Sequence, residues 1–242
     1  MQVPCHECAL RSCGLFKRVT DEELSSINEI KREHLQVTAG EEIIRIADEA
    51  PEVYTLYAGW VFRYKMLPDG RRQILSFLLP GDLLGLQAAM FDAALYGIEA
   101  LTDVQLCVLP RKKVWALFGQ MPGLAFDVAW LGSRSESFVD ENLTSVGRRS
   151  ASERVAALIV TLYKRAAVLG MVQDNAFAFP LTQQHIADAL GLSLVHTNKT
   201  LAKLKRMGMF KQHNGTMTLT NPRVLERVAQ HFDEEVPMRP LI

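Results

Sequence analysis

The spacing of apolar residues changes character several times along the chain. Between residues 21 and 34, DEELSSINEIKREH sets Leu24, Ile27 and Ile30 at steps of three behind an acidic first turn, which predicts a short amphipathic helix. From Thr38 to about residue 110 the runs shorten to EEIIRIA, EVYTLYAG, WVFRYKML, RQILSFLLPG and IEALTDVQLCVLP, cut by Gly40, Gly59, Asp69-Gly70, Gly81 and Gly97. Apolar or alternating runs of this length, separated by turn residues, predict strands that close into a small barrel, roll or sandwich. Asp69-Gly70 predicts a hairpin, because the tight turns whose twist suits paired strands need positive φ, which these two residues tolerate.

Helical spacing then returns. PRKKVWALFGQMP predicts a short helix, and PGLAFDVAWLGSRSESFVDENLTSVG a long one from Pro122, with Val128, Leu131, Phe138 and Val146 along an apolar seam. Such a seam packs on the roll or pairs with its twin in another subunit, and periodicity alone does not choose between them. SASERVAALIVTLYKRAAVLG reads as a third helix between a Ser start and a Gly stop. The implied organisation is a cysteine-rich segment at 1–20, a roll at 21–120, a long helix at 121–148, a second domain at 149–232 and a tail at 233–242.

The second domain holds the clearest pattern. In LTQQHIADALGLSLVHTNKTLAKLKRMGMFKQHNGTMTLT, Thr182 is placed to cap a helix of about two turns, Gly191 to make a tight turn and Ser193 to cap a second helix to about Met207. Ile186, Ala187, Leu190, Leu192, Leu201 and Leu204 are expected to be buried, leaving His196, Asn198, Lys199, Lys203 and Arg206 on or near the outer face. That spacing is a helix-turn-helix, and Asn214-Gly215 between two strand-like runs adds a wing. A helix fits the major groove of duplex DNA, where Asn, Lys and His can bond base edges while outlying cations neutralise phosphates. The plain alternative is an αα-hairpin with a solvated basic face.

Charge sharpens this reading. The chain of 242 residues has no net formal charge, yet residues 1–147 hold 14 Lys/Arg against 20 Asp/Glu while residues 148–242 hold 13 against 7. An anionic partner is therefore expected to meet only the C-terminal part. No apolar stretch approaches the ~20 residues that span a bilayer. A folded, cytoplasmic protein with reduced thiols and no membrane partner is expected. Nucleophile-elbow, phosphate-loop, zinc-protease and dinucleotide motifs are all absent. The carboxylates of DEEL and DENL read as solvated helix faces, and His185 as a phosphate or packing contact. An enzyme is not expected; a redox metalloprotein or electron carrier is the competing class.

A glycine-punctuated roll containing YAGWVFRYK and PGDLLG, a long helix, then LTQQHIADALGLS with a wing resembles the Crp/Fnr family of bacterial transcription regulators, from about residue 20 to 230. The resemblance implies an α+β fold with an N-terminal double-stranded β-helix (a cyclic-nucleotide-binding-like β-roll), a long dimerisation helix and a C-terminal winged helix-turn-helix. It implies a homodimer on a two-fold symmetric double-stranded DNA operator, acting through RNA polymerase. By resemblance Val195, Asn198 and Lys199 fall where the family reads bases, and Thr182 and Gln183 where it touches phosphate, with Ser193, His196 and Lys203 alongside. The glutamate common in the family at the Val195 position and the arginine at the Lys199 position are absent, which implies a different operator. Val195 can still contact a thymine methyl.

Members that bind cyclic nucleotides carry a glutamate and an Arg-Ser pair where this chain has Gln87 and Ala94-Leu95, so cAMP is not expected. The oxygen-sensing branch holds a [4Fe-4S] cluster on three N-terminal cysteines and one in the roll. By resemblance Cys5, Cys8, Cys13 and Cys107 fill those places, although four residues separate Cys8 from Cys13 where the best-known sensors have five. The residues themselves leave other readings open: Cys107 as a small buried side chain, zinc held by the thiols with or without His6, direct thiol oxidation, or no sensory role for the cysteines in a regulator without metal that senses another ligand or is controlled by abundance.

Overall fold

The computed structural model describes residues 4–49, 51–91, 93–230 and 238–242. The first residues of the cysteine-rich segment, the end of the 149–232 segment and the start of the 233–242 tail lie outside the described residues. The chain forms two compact units, one of Met1–Arg71, Phe77–Ser137 and Pro237–Ile242, the other of Arg72–Ser76 and Phe138–Val236.

The first unit begins with two single 3₁₀ turns, Cys5–Glu7 and Ala9–Ser12. Then follow α1 (Asp21–Ile30), β1 (Glu33–Val37), β2 (Glu42–Ile44), β3 (Val53–Ala58), β4 (Val61–Met66), β5 (Arg72–Leu78), β6 (Leu83–Leu84), α2 (Leu86–Met90), β7 (Gly97–Ala100), β8 (Val104–Leu109), α3 (Arg111–Gln120) and α4 (Pro122–Arg148). The strands make two four-stranded sheets, ordered β1-β8-β3-β6 and β2-β7-β4-β5. Together they are the expected roll. The division between the units falls inside α4 and again inside β5, whose Arg72–Ser76 belong to the second unit.

Two local expectations are corrected. The helix predicted over 21–34 starts as read, with a Thr20–Glu23 capping box, but stops at Ile30. Lys31 turns extended (φ −60°, ψ 125°), Arg32 N–H donates to the Val108 carbonyl, and β1 pairs with β8 from Glu33↔Val108 to Val37↔Val104. Five cross-strand partners override the helix preference of Lys31–His34, as tertiary context commonly does. The hairpin at Asp69-Gly70 exists, but its loop runs between bonded Leu67 and Arg71, and only Gly70 has positive φ. Asp69 instead accepts from the Arg71 N–H. One contiguous core gathers Cys5, Ile27 and Ile30 with Val53, Leu109, Leu117, Leu124 and Val128 from the roll and helices, and also Ile242.

The second unit comprises α5 (Ala151–Val168), β9 (Val172–Gln173), β10 (Ala176–Ala178), α6 (Gln183–Leu190), α7 (Leu194–Arg206), β11 (Phe210–His213), β12 (Thr216–Leu219) and α8 (Pro222–Ala229). Ser150 and Glu153 form the capping box that starts α5, whose Val155, Ala156, Ile159 and Val160 are fully buried. The predicted wing is the β11–β12 hairpin, with Asn214 (φ 45°) and Gly215 (φ 73°) at its turn. It belongs to a four-stranded sheet, β11-β12-β10-β9, whose second hairpin turns at Asp174 (φ 49°) and Asn175 (φ 60°). The fold is thus α+β, with a roll, a long helix and a winged helix-turn-helix. No helix among the described residues is long and apolar enough to cross a membrane.

Candidate nucleic-acid interface and cysteine pocket

The helix pair of the second unit is set by its caps. Thr182 Oγ1 accepts from His185 N–H at 3.1 Å while His185 Nδ1 accepts from Thr182 N–H at 3.2 Å, so a histidine closes the capping box where Glu or Gln is usual. Burial first, and then the Arg72 guanidinium, lower the His185 pKa, which keeps Nδ1 free to accept. Gly191 ends α6 in the left-handed conformation (φ 61°), and Leu192 N–H bonds back to the Ala187 carbonyl. Ser193 Oγ then accepts from His196 N–H and starts α7.

These caps fix which residues face out. Ile186, Ala187 and Leu190 of α6 are buried, as are Thr197, Thr200, Leu201 and Leu204 of α7. Leu192, expected in the core, is only half-buried. Thr182, Gln183, Ser193, Val195, His196, Lys199, Lys203 and Arg206 are exposed, so nearly every residue singled out for DNA lies on open faces of one helix pair and its turn. Asn198 is half-buried, and its amide oxygen has no hydrogen-bond partner among the described residues. Val195 is 64% exposed, an apolar side chain held in water at the start of α7. Lys211 and His213 extend the exposed polar surface along β11. Such a surface can neutralise phosphates and offer donors to base edges.

The cysteines lie in the first unit. Cys5, Cys8 and Cys107 line one small pocket together with Arg11, Lys31 and His34. Cys13, on the same N-terminal loop, is half-buried and outside that lining. The β1–β8 register explains the roll side of the pocket: His34 is the cross-strand partner of Cys107, and its Nε2 lies 3.5 Å from the Cys107 sulfur. On the other side, Cys5 is buried in the core beside α1, with its N–H donating to the Asn28 side chain at 3.1 Å.

Burial pushes the Cys107 thiol up to about 11 and also raises Cys5, while the Lys31 charge opposes both shifts. His34 is lowered, first by burial and then by Lys31. Thiols held protonated are poor nucleophiles, and become ligands when a metal cation displaces the proton. Lys31 is buried beside them and supplies fixed positive charge to the pocket, as does Arg11 from the loop. Sequence reading missed Arg11, Lys31 and His34. Each is an ordinary polar residue in the chain and joins the cysteines only through folding.

Comparison with known proteins covers both units. The family model described as the cyclic nucleotide-binding domain matches residues 34–121, and the one described as the Crp-like helix-turn-helix domain matches residues 153–228. Within the first of these matches Ala94 is buried and Leu95 half-exposed. The nitrogen fixation regulation protein FixK of Bradyrhizobium diazoefficiens is 30% identical over 225 residues, spanning 93% of each chain. The transcriptional activator protein FnrL of Cereibacter sphaeroides is 27% identical over 97% of this chain and 95% of its own. The structure of FixK2 from Bradyrhizobium japonicum superposes with a TM-score of 0.74 at 26% identity, covering 81% of this chain and 96% of that one.

Proposed function

The chain belongs to the Crp/Fnr family of transcription regulators, and from that premise we propose a cytoplasmic homodimer that reads a two-fold symmetric operator and reports oxygen or redox state through its N-terminal cysteines. DNA binding is the activity common to these regulators, and its instrument here is the α6–α7 pair. Each half-site takes one α7, with Val195, Asn198 and Lys199 at base edges, and Thr182, Gln183, Ser193, His196 and Lys203 on phosphates or neighbouring bases. The long helix α4 joins the two subunits, and the assembled dimer contacts RNA polymerase.

One observation carries the sensory reading. Two thiols of the N-terminal loop, Cys5 and Cys8, share one pocket with the remote Cys107 and with two cationic residues. Among the described residues no three Cys, His, Asp or Glu side chains are gathered closely enough to hold a metal ion as they stand. Cys5, Cys8 and Cys107 would therefore have to close in on the pocket they line to supply three of the four ligands of a [4Fe-4S] cluster. Cys13, on the same short loop, is the fourth. When bound, the cluster supplies an oxygen-labile centre. The chain's own part is to hold the thiols, offset their negative charge with Lys31 and Arg11, and shield Cys5 and Cys107 from water. Zinc is the second reading, favoured by His34 as a nitrogen donor beside Cys107.

Strictly anaerobic purification tests this directly. The expected material is coloured, with iron and sulfide in equal amounts and four of each per chain, and it loses promoter affinity on exposure to air. Colourless protein with one zinc per chain, binding DNA equally with and without air, would replace the cluster with the structural metal. Protein with neither metal would remove both.

A further inference from the structure

The last five residues, MRPLI, form neither helix nor strand, yet Arg239, Leu241 and Ile242 are 2%, 3% and 6% exposed. Burying a guanidinium is costly unless its charge and hydrogen bonds are matched. Here the match is a built receptacle. Arg239 pairs with the buried Asp82 carboxylate, donates to the Pro80 carbonyl at 2.7 Å and lies over the Phe16 ring at 4.9 Å. Asp82 is itself positioned by the Leu79 N–H at 2.8 Å. Gly81, at φ +86°, leaves the space: a Cβ there would lie 2.4 Å from Phe16 and 2.9 Å from Arg239. The backbone joins in, with Arg239 N–H donating to Leu15 and Lys17 N–H donating to Arg239, both at 2.9 Å.

Beyond this anchor the segment reaches the cysteines. Leu241 and Ile242 line the same pocket as Cys5, Cys8 and Cys107. Two bonds hold them there, and each comes from a residue tied to the thiols. Arg11, which lies between Cys8 and Cys13 in sequence, donates to the Leu241 carbonyl at 3.1 Å. The Thr55 hydroxyl donates to the Ile242 backbone oxygen, and Thr55 is the β3 partner of Cys107 in the β3–β8 register.

We propose that Met238–Ile242 is a working part of the sensor site: it docks as a wall of the cysteine pocket, and its docking and the conformation of the cysteine loop control one another. A displaced loop forfeits the Arg11 bond and uncovers Leu241. A withdrawn segment opens the pocket to solvent, and the coupling is equal in both directions because it is one free energy. This deepens the cysteine-sensor reading without requiring iron.

The test uses the full chain, anaerobic and thiol-reduced, with maleimide labelling read cysteine by cysteine by mass spectrometry. In Arg239→Ala, and in a chain ending at Pro237, labelling of Cys107 and Cys5 is expected to accelerate by roughly 5- to 150-fold, with Cys13 changed far less. Equal rates for Cys107 and Cys5 in folded variants would overturn the proposal. A second arm leaves the sequence intact: hydrogen exchange at the Arg239 amide is measured before and after alkylation of Cys8. Faster exchange after alkylation is expected, and unchanged exchange counts against the coupling even if the variants fail to fold. Iron-free protein that passes both arms removes the cluster and keeps this segment's role. Cluster-loaded protein whose segment is indifferent to Cys8 does the reverse.

Discussion

The helix pair proposed to face DNA and the pocket that gathers the thiols are built by opposite means. In the first, Thr182, His185, Gly191 and Ser193 act on neighbours no more than five residues away, and the outward face follows from those caps. In the second, residues 5, 8, 11, 31, 34, 107, 241 and 242 meet only after the N-terminal loop, the end of α1, the paired strands β1 and β8 and the last residues have come together. Locally specified sites can be dissected one bond at a time. Sites assembled from afar fail as a group.

That contrast can be broken most sharply at the buried ion pair. Arg239→Ala removes the guanidinium from beside the buried Asp82 carboxylate, and the expected loss is about 3–5 kcal/mol from the first unit. Denaturant unfolding followed by fluorescence should show the roll melting earlier while the second unit keeps its midpoint. A joint shift of both transitions would mean that the units are not separately cooperative. Next in size is Leu204→Ala on the buried side of α7, where a cavity costs about 2–5 kcal/mol, expected in the second unit's transition alone.

Smaller effects sharpen the local half of the comparison. Lys199→Ala is expected to relax base choice at one operator position by about 1–3 kcal/mol. Lys203→Ala should instead weaken binding to every duplex and reduce the salt slope by about 0.9. Competition binding over single-base operator variants at several salt concentrations separates the two, and identical profiles would erase the assigned division of roles. Thr182→Ala, which removes the α6 cap, is expected to cost about 1 kcal/mol.

The same cap carries a pH signature. His185 has a folded pKa below its ordinary 6.5, so the unfolded chain binds its proton more readily. Its contribution is full above pH 6.5 and is lost as pH falls through the depressed folded value. His185→Gln keeps an acceptor in the box and should flatten that slope in thermal melts between pH 7 and pH 5.

The wing and both helices of the DNA-facing pair were legible in the sequence because caps and turns are chemical: a hydroxyl before a helix, glycine after it, Asn-Gly between strands. The β9–β10 hairpin was not, since strands of two and three residues are too short to display a period, and only Asp174-Asn175 marked the turn. Helix α1 was read four residues too long because nothing inside KREH announces that β8 will claim His34 and Leu35. The cysteines were visible as a census, and their meaning came from likeness to a family. The cations beside them were not visible, because Lys31 and Arg11 become special only through what β8 and the final residues place against them. The seating of Leu241 and Ile242 left no mark in the sequence either: five residues without periodicity gave nothing beyond a tail.

The β1–β8 register has a consequence for how this chain can change over generations. Side chains along a strand alternate between faces, so removing one residue from β1 would turn His34's successor toward Cys107 and send the imidazole to the opposite side. Removing two would restore the facing at the price of length. Heritable shortening of this strand should therefore be tolerated by parity, in even steps, while the neighbouring turns accept any number.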